Sequence, residues 1–349
     1  MRIALTVDPD IPVPPTHYGG IERVVDMLAR GLVKRGHSVT LFAHPASSTA
    51  GLLLAYGVPP HVGWRARVTE LAQVGAGLWR RRGEFDLVHS FGRLRALLPV
   101  LPLRALPKLQ SYQREQVPWR GVKMAVRLAG ESLRFTACSR SVCAERPRHG
   151  VRGGRWHVIA NGVEMAKYDF VVRVGADAPL VFLGRLEPFK GAHHAIAIAR
   201  AAGRRLIIAG NQVASGPDVD YFGRRIAPEI DGACVTYVGP VDDGQKNALL
   251  GSAAALLMPV EWEEPFGIVM AEALACGTPI IGFARGSVPE IVEHGVNGYL
   301  CQTADEAVAA VRGLDRIDRA TVRADCVARF SDHVVVDGYE RLYREMLGR

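Results

Sequence analysis

Twice along this chain, short apolar runs alternate with stretches of helical periodicity, and that repetition limits the fold more than any other feature. In the first half Ile3–Val7 is an apolar strand, a Pro- and Gly-rich loop spans 8–20, and Val24, Val25, Leu28, Leu32 and Val33 mark one helix face. Gly36-His37 ends that helix and Ser38–Ala43 is the next strand, while Asp86–His89, Lys108–Ser111 and Phe135–Ala137 read as further strand ends. The second half restarts the pattern with strands at Leu180–Leu183, Leu206–Ala209, Val235–Val238, Ala254–Met258 and Ile280–Phe283, and helices over 192–202, 244–252 and from Pro289. Strand–helix–strand order implies parallel sheets covered by helices. At 349 residues the chain is too long for one compact core.

The prediction is therefore an α/β chain of two doubly wound domains, 1–165 and 166–331, joined near the Asn161-Gly162 turn and Gly175-Ala176-Asp177. A final segment, 332–349, carries Val335, Tyr339, Leu342, Tyr343 and Met346 on one face and reads as a capping helix. Ligands of such folds bind beyond the carboxyl ends of the strands, so a site is expected in a cleft between the domains.

The segment Glu264-Pro265-Phe266-Gly267-Ile268-Val269-Met270-Ala271-Glu272 holds two carboxylates across an expected helix start. Pro265 suits a first helical turn, and Gly277-Thr278-Pro279 is a standard end. Eight helical residues span about 12 Å, roughly the distance from the sugar to the ribose of a nucleotide-diphosphate sugar. The free N–H groups of Phe266, Gly267 and Ile268 would then point at the phosphates. An ordinary buried helix with two solvated acids is the competing interpretation.

Gly184-Arg185-Leu186-Glu187-Pro188-Phe189-Lys190-Gly191 follows a strand and opens a helix, so Arg185 and Lys190 make an anion site or a pair of surface cations. Gly19 and Gly20, in the loop that also holds His17, permit close backbone approach to a ligand or simply form a turn. No dinucleotide or P-loop fingerprint is present. His89, at a strand end, is expected to face the cleft or to be structural.

Residues 1–172 hold 25 Lys and Arg against 12 Asp and Glu, whereas residues 173–349 hold 18 against 23. The basic half suits an anionic partner, a membrane surface included, or reflects an Arg-rich surface. Trp64–Arg67 with Trp79–Arg82 and a basic amphipathic helix over 119–134 are the candidate contacts. No motif supports nucleic acid as the partner despite the basic isoelectric point of 9.4. The six cysteines lack metal-type spacing and read as reduced thiols. No apolar run approaches a membrane span and the first residues do not resemble a signal peptide, so a cytoplasmic location is expected, with room for peripheral contact at the inner face of a membrane.

Tyr18-Gly19-Gly20-Ile21-Glu22, Gly36-His37-Ser38-Val39, Asn161-Gly162-Val163, Gly184-Arg185 with Lys190-Gly191, and Glu264 to Glu272 stand in the order found in glycosyltransferase family 4. The chain resembles those retaining enzymes of GT-B fold over essentially its whole length. The resemblance implies a UDP- or GDP-sugar donor on the second domain, a hydroxyl acceptor on the first, no metal ion or other cofactor, and a last helix that returns to the first domain. It implies that Arg185 and Lys190 hold the diphosphate, Glu272 the ribose, and Glu264 the transferred sugar. Gly19 and Gly20 would close over the diphosphate, with Asn211 and the neighbourhood of Val238 as further donor contacts. Such enzymes usually carry a His where this chain reads Ser111-Tyr112, so His89 or Tyr112 would substitute, or the sugar contact is lost. A nucleotide-sugar epimerase, a phosphorylase and a non-catalytic nucleotide-sugar sensor share this architecture and remain alternatives.

Overall fold

The computed structural model describes residues 1–15, 19–57, 63–144, 149–151 and 153–349. The chain divides into two compact units, one of Met1–Asn161 with Asp332–Arg349 and the other of Gly162–Ser331. Each unit is built on one all-parallel sheet.

The first unit contains β1 (Arg2–Thr6), β2 (Ser38–Ala43), β3 (Leu52–Ala55), β4 (Leu87–Ser90), β5 (Lys108–Tyr112), β6 (Leu133–Ala137) and β7 (Arg155–Val158). Their spatial order is β3-β2-β1-β4-β5-β6-β7. The central strands are buried along their whole length, as expected for a sheet covered on both faces. The outer strands β3 and β7 alternate less and carry exposed ends, and both escape the sequence pattern. Helix Gly20–Lys34 buries Val24, Val25, Leu28 and Leu32, and packs on the last helix, Asp332–Met346. That contact requires Gly31, where a Cβ would fall 2.5 Å from a Val336 methyl.

The second unit contains β8 (Leu180–Leu183), β9 (Leu206–Ala209), β10 (Val235–Tyr237), β11 (Ala255–Met258), β12 (Ile280–Phe283) and β13 (Gly298–Cys301), in the order β10-β9-β8-β11-β12-β13. Leu180, Phe182, Leu206, Ile208, Ala255 and Leu257 meet helix Ala192–Ala201 in its core. Arg319, almost wholly buried, caps the loop ends by donating to the carbonyls of Val171, Ala253 and Gly251 at 2.7, 2.8 and 3.0 Å. In both units the strand order reverses direction beside the first strand, between β1 and β4 and between β8 and β11. Ligands of doubly wound sheets bind beside such reversals, at the carboxyl ends of the strands.

Two expected helices are shorter than their sequence pattern. The segment 119–134 is helical only over Trp119–Ala129, because Leu133 and Arg134 are drawn into β6. The carboxylate-bearing helix begins at Ile268, not at Pro265. Gly267 sits just before it at φ 68°, a left-handed conformation that ends the preceding loop instead of continuing a helix. Glu264 therefore lies in a loop, and the helical spacing assumed for Glu264 and Glu272 does not apply.

Candidate functional site

The loops that follow β8 and β11 flank the strand reversal of the second unit, and they meet. After β8 the chain passes Gly184, whose carbonyl lies 1.8 Å from where a Cβ on Gly210 would sit. Only glycine fits there, so the ends of β8 and β9 run together, and Leu186 N–H continues the pairing to the Asn211 carbonyl at 2.9 Å. A 3-10 turn, Pro188–Lys190, then delivers Lys190 to Gly191 and the start of helix Ala192–Ala201.

Lys190 Nζ donates to Glu264 Oε2 at 2.6 Å. The Trp262 indole N–H donates to the same oxygen at 2.9 Å, and the ammonium lies 4.4 Å from the centre of the Trp262 ring. Glu264 is 5 % exposed. Its backbone is gripped by Ser287 N–H, which donates to its carbonyl at 2.8 Å, and by Gly286, where a Cβ would fall 2.3 Å from the Glu264 nitrogen. A cation, an indole face and a carboxylate are thus fixed together at the β8–β11 reversal. This group can bind phosphate and hydroxyls in one place, because Lys190 has further N–H groups and both of these side-chain hydrogen bonds to Glu264 fall on Oε2. Arg185, in the same loop, is 42 % exposed along its side chain and pairs with Glu187 at 2.9 Å.

Glu272 occupies a different environment in mid-helix. It is nearly buried and accepts from the Tyr168 hydroxyl at 2.8 Å and from the Lys246 ammonium, both on Oε1. The first-turn N–H groups of its helix belong to Ile268, Val269 and Met270, and that of Met270 is bonded to the Gly267 carbonyl at 2.9 Å. Phe266 instead buries its ring edge-on to Phe330, with ring centres 5.8 Å apart. Val238, 48 % exposed, follows β10 and bonds the Ile208 carbonyl through its N–H, so Asn211 and Val238 stand at neighbouring strand ends. Trp262, Tyr168 and Lys246 were not singled out in the sequence. Trp262 had a signal, as an aromatic amid the acids of Glu261-Trp262-Glu263-Glu264, while Lys246 and Tyr168 come from segments with no motif.

In the first unit Gly19 precedes helix Gly20–Lys34, and a Cβ there would meet Pro15 at 2.6 Å and the Glu22 carboxylate at 3.0 Å. Glu22 is folded back over this turn, where burial pushes its pKa up. His17 lies outside the described residues. His89 is completely buried. Its Nδ1 is 2.6 Å from the Tyr343 hydroxyl and its Nε2 2.6 Å from Ser111 Oγ, so of its two expected roles it takes the structural one and does not face a ligand. Burial holds its pKa well below the ordinary value, and the neutral ring serves as one donor and one acceptor between strands and last helix. Tyr112 is likewise buried, stacked on Phe135 and Trp156 with ring centres 6.2 and 5.6 Å apart. Neither side chain reaches the surface, so the missing His at Ser111 has no substitute in His89 or Tyr112.

All six cysteines are free thiols. Among the described residues no helix is long and apolar enough to cross a membrane. Among the described residues, one group of side chains could hold a metal ion, His193, His194 and Glu261, whose ligand atoms lie within 4.8 Å of one another.

Two Rossmann-like units of this strand order define the GT-B architecture. Residues 171–319 match the family described as glycosyl transferases group 1, and residues 18–167 match the one described as glycosyltransferase family 4. The chain belongs to glycosyltransferase family 4. Among curated relatives, the phosphatidyl-myo-inositol mannosyltransferase of Propionibacterium freudenreichii is 26 % identical over 327 residues, covering 84 % of this chain and 81 % of that protein. The glycogen synthase of Mycobacterium tuberculosis is 28 % identical over 355 residues, covering 86 % and 83 %. Among solved structures, AviGT4, a glycosyltransferase involved in avilamycin A biosynthesis, aligns over 100 % of this chain and 98 % of its own with a TM-score of 0.71 and 28 % identity. Sucrose-phosphate synthase from Thermosynechococcus elongatus aligns over 100 % and 99 % with a TM-score of 0.82 at 21 % identity, a likeness of fold.

Proposed function

We propose that this glycosyltransferase moves a sugar from a nucleotide-diphosphate donor, a UDP- or GDP-sugar, to a hydroxyl acceptor with retention of anomeric configuration and without a metal ion in the transfer step. The observation that carries the reading is the Lys190–Glu264 pair, a cation and a carboxylate held 2.6 Å apart by the two loops at the β8–β11 reversal. HepE of Anabaena, of the same fold at 21 % identity, binds UDP and glucose, which is in keeping with a nucleotide-diphosphate donor.

In this reading Lys190 and Arg185 bind the diphosphate. As the bond from the anomeric carbon to the phosphate oxygen breaks, negative charge grows on the leaving diphosphate. Fixed cations then stabilise the transition state more than the ground state. Glu264 accepts from sugar hydroxyls and faces the positive charge that develops at the anomeric carbon. Glu272 accepts from the ribose hydroxyls. The acceptor oxygen bonds to the anomeric carbon on the face the phosphate leaves, and its proton passes to the departing phosphate oxygen.

A thermal-shift screen against UDP- and GDP-sugars, followed by donor hydrolysis and product anomer analysis, tests the reading. Stabilisation by one nucleotide class and a product of retained configuration are expected, and Lys190→Ala should slow turnover by about 10²–10³. Near-wild-type turnover in Lys190→Ala, or inversion, would overturn it. Helix Trp119–Ala129 exposes Met124 and Leu128 beside Arg120, Lys123 and Arg127, which supports peripheral contact with an anionic lipid surface. Salt-sensitive binding to anionic vesicles is the expected result, and no binding at low salt refutes it.

A further inference from the structure

The loop that presents Glu264 also carries Glu261, which pairs with a histidine instead of Lys190. Its Oε1 lies 3.0 Å from His194 Nε2, on the first turn of helix Ala192–Ala201. The neighbouring His193 has its ring centre 4.1 Å from that of His194. The ring of His193 is fixed by Tyr221, whose hydroxyl oxygen is 2.8 Å from Nδ1 and also accepts the His193 backbone N–H at 3.3 Å.

We propose that His193, His194 and Glu261 form a binding site for a divalent transition-metal ion of the zinc class, which clasps the start of helix Ala192–Ala201 to the loop after β11. The three ligand atoms lie within 4.8 Å of one another. Zinc bonds of 2.0–2.2 Å put tetrahedral ligands about 3.4 Å apart, so the set must draw in by roughly 1 Å. Glu261 Oε1 and His194 Nε2 are already 3.0 Å apart, so the closing falls on the approach to His193, and the partly exposed side chains of His194 and Glu261 both supply it. With Nδ1–H donating to Tyr221, His193 keeps its lone pair on Nε2, the arrangement in which an outer partner orients a metal-binding imidazole.

The donor set also selects the ion. Two imidazoles and one carboxylate suit zinc, cobalt or nickel and not magnesium or calcium, which prefer an all-oxygen shell. Three protein ligands leave one position for water.

The clasp has a mechanical consequence. Glu261 N–H already donates to the Phe189 carbonyl at 2.8 Å, next to Lys190, and Glu261 stands three residues before Glu264. A metal bound here would tie together the two loops that carry Lys190 and Glu264 without touching either side chain. The site is independent of the transfer reaction proposed above, and its test needs no sugar donor.

The full chain, free of any affinity tag and stripped with a chelator, is titrated with zinc by calorimetry, with cobalt absorption as a report of coordination and thermal unfolding measured in parallel. One saturable zinc site, a tetrahedral cobalt spectrum and a raised melting temperature are expected, with no effect of magnesium. His194→Gln and Glu261→Gln, both at partly exposed positions, should each weaken zinc binding at least tenfold, and Tyr221→Phe by about 10–100-fold. Absence of saturable binding by the wild-type chain overturns the proposal. So does zinc binding that persists unchanged in His194→Gln and Glu261→Gln, since the ion would then sit elsewhere.

Discussion

The imidazole of His89 and the phenol of Tyr343 share a 2.6 Å hydrogen bond across 254 positions of sequence. His89 is on β4, and its other nitrogen reaches Ser111 on β5, which in turn meets Thr136, its register partner on β6. The last helix is thereby pinned to three central strands through groups that are all buried. Removing the hydroxyl strands one imidazole nitrogen, at about 1–3 kcal/mol. Tyr343→Phe should lower the urea midpoint of the first unit by a corresponding amount. An unchanged midpoint would show that the bond contributes nothing net.

The alternation of apolar runs and helical periodicity was enough to read the α/β class, because buried parallel strands such as Leu180–Leu183 and Ile280–Phe283 are nearly pure hydrocarbon. It failed at the sheet edges: Arg155–Val158 is half polar and Leu52–Ala55 only partly buried, so neither carries that signature. Lys190, in a loop, and Glu264, read as the start of a helix, were legible as candidates, but their contact was not. It depends on Gly286 closing against the backbone of Glu264, a meeting of distant segments that no local pattern encodes. His89 misled for a related reason. A strand-end histidine looks the same in sequence whether it faces solvent or a tyrosine from a helix at the far end of the chain.

Lys246 and Glu272 form a buried ion pair in the second unit, with Tyr168 completing the hydrogen bonds on the carboxylate. Breaking such a pair from one side leaves an uncompensated charge and costs about 3–5 kcal/mol. Lys246→Met should therefore destabilise the second unit strongly, and Lys246→Met with Glu272→Met should recover most of the loss. If the double variant is as unstable as the sum of both singles, the two side chains are not coupled. On the proposed donor reading, Glu272→Gln should also raise the donor KM with a smaller effect on kcat, since ribose contacts are the same in ground and transition states.

Acid sensitivity of the first unit should trace in part to Glu340. Hydrogen bonds from Arg344, then Arg35 and His37, hold its pKa at about 2, below the usual 4.5. A depressed carboxyl pKa adds stability above the unfolded value, and that stability is lost as the pH falls from about 4.5 toward 2. The groups are close to solvent, so the contribution at neutral pH is at most about 1 kcal/mol. Glu340→Gln should lower the urea midpoint near neutrality, with the difference from wild type shrinking steadily through that acid window. A difference that stays constant with pH would mean the glutamate acts through packing alone.

Gly191 is the position where one added methyl should separate structure from chemistry. Its φ of 81° is left-handed, and a Cβ would fall 2.0 Å from the Pro259 carbonyl oxygen. That oxygen belongs to the loop leading to Glu264, and Gly191 directly follows Lys190, so the clash pushes the two loops of the strand reversal apart. Left-handed strain costs about 1–3 kcal/mol and overpacking a similar amount. Gly191→Ala should therefore lower the stability of the second unit by about 2–6 kcal/mol. Below its melting temperature the folded variant should still lose donor binding, because Lys190 and Glu264 no longer converge. Gly203→Ala, also at positive φ but with open space around its Cβ, carries the backbone strain without the clash. It should lose stability and keep donor binding, and equal loss of binding in both variants would rule out the approach of the two loops as the cause.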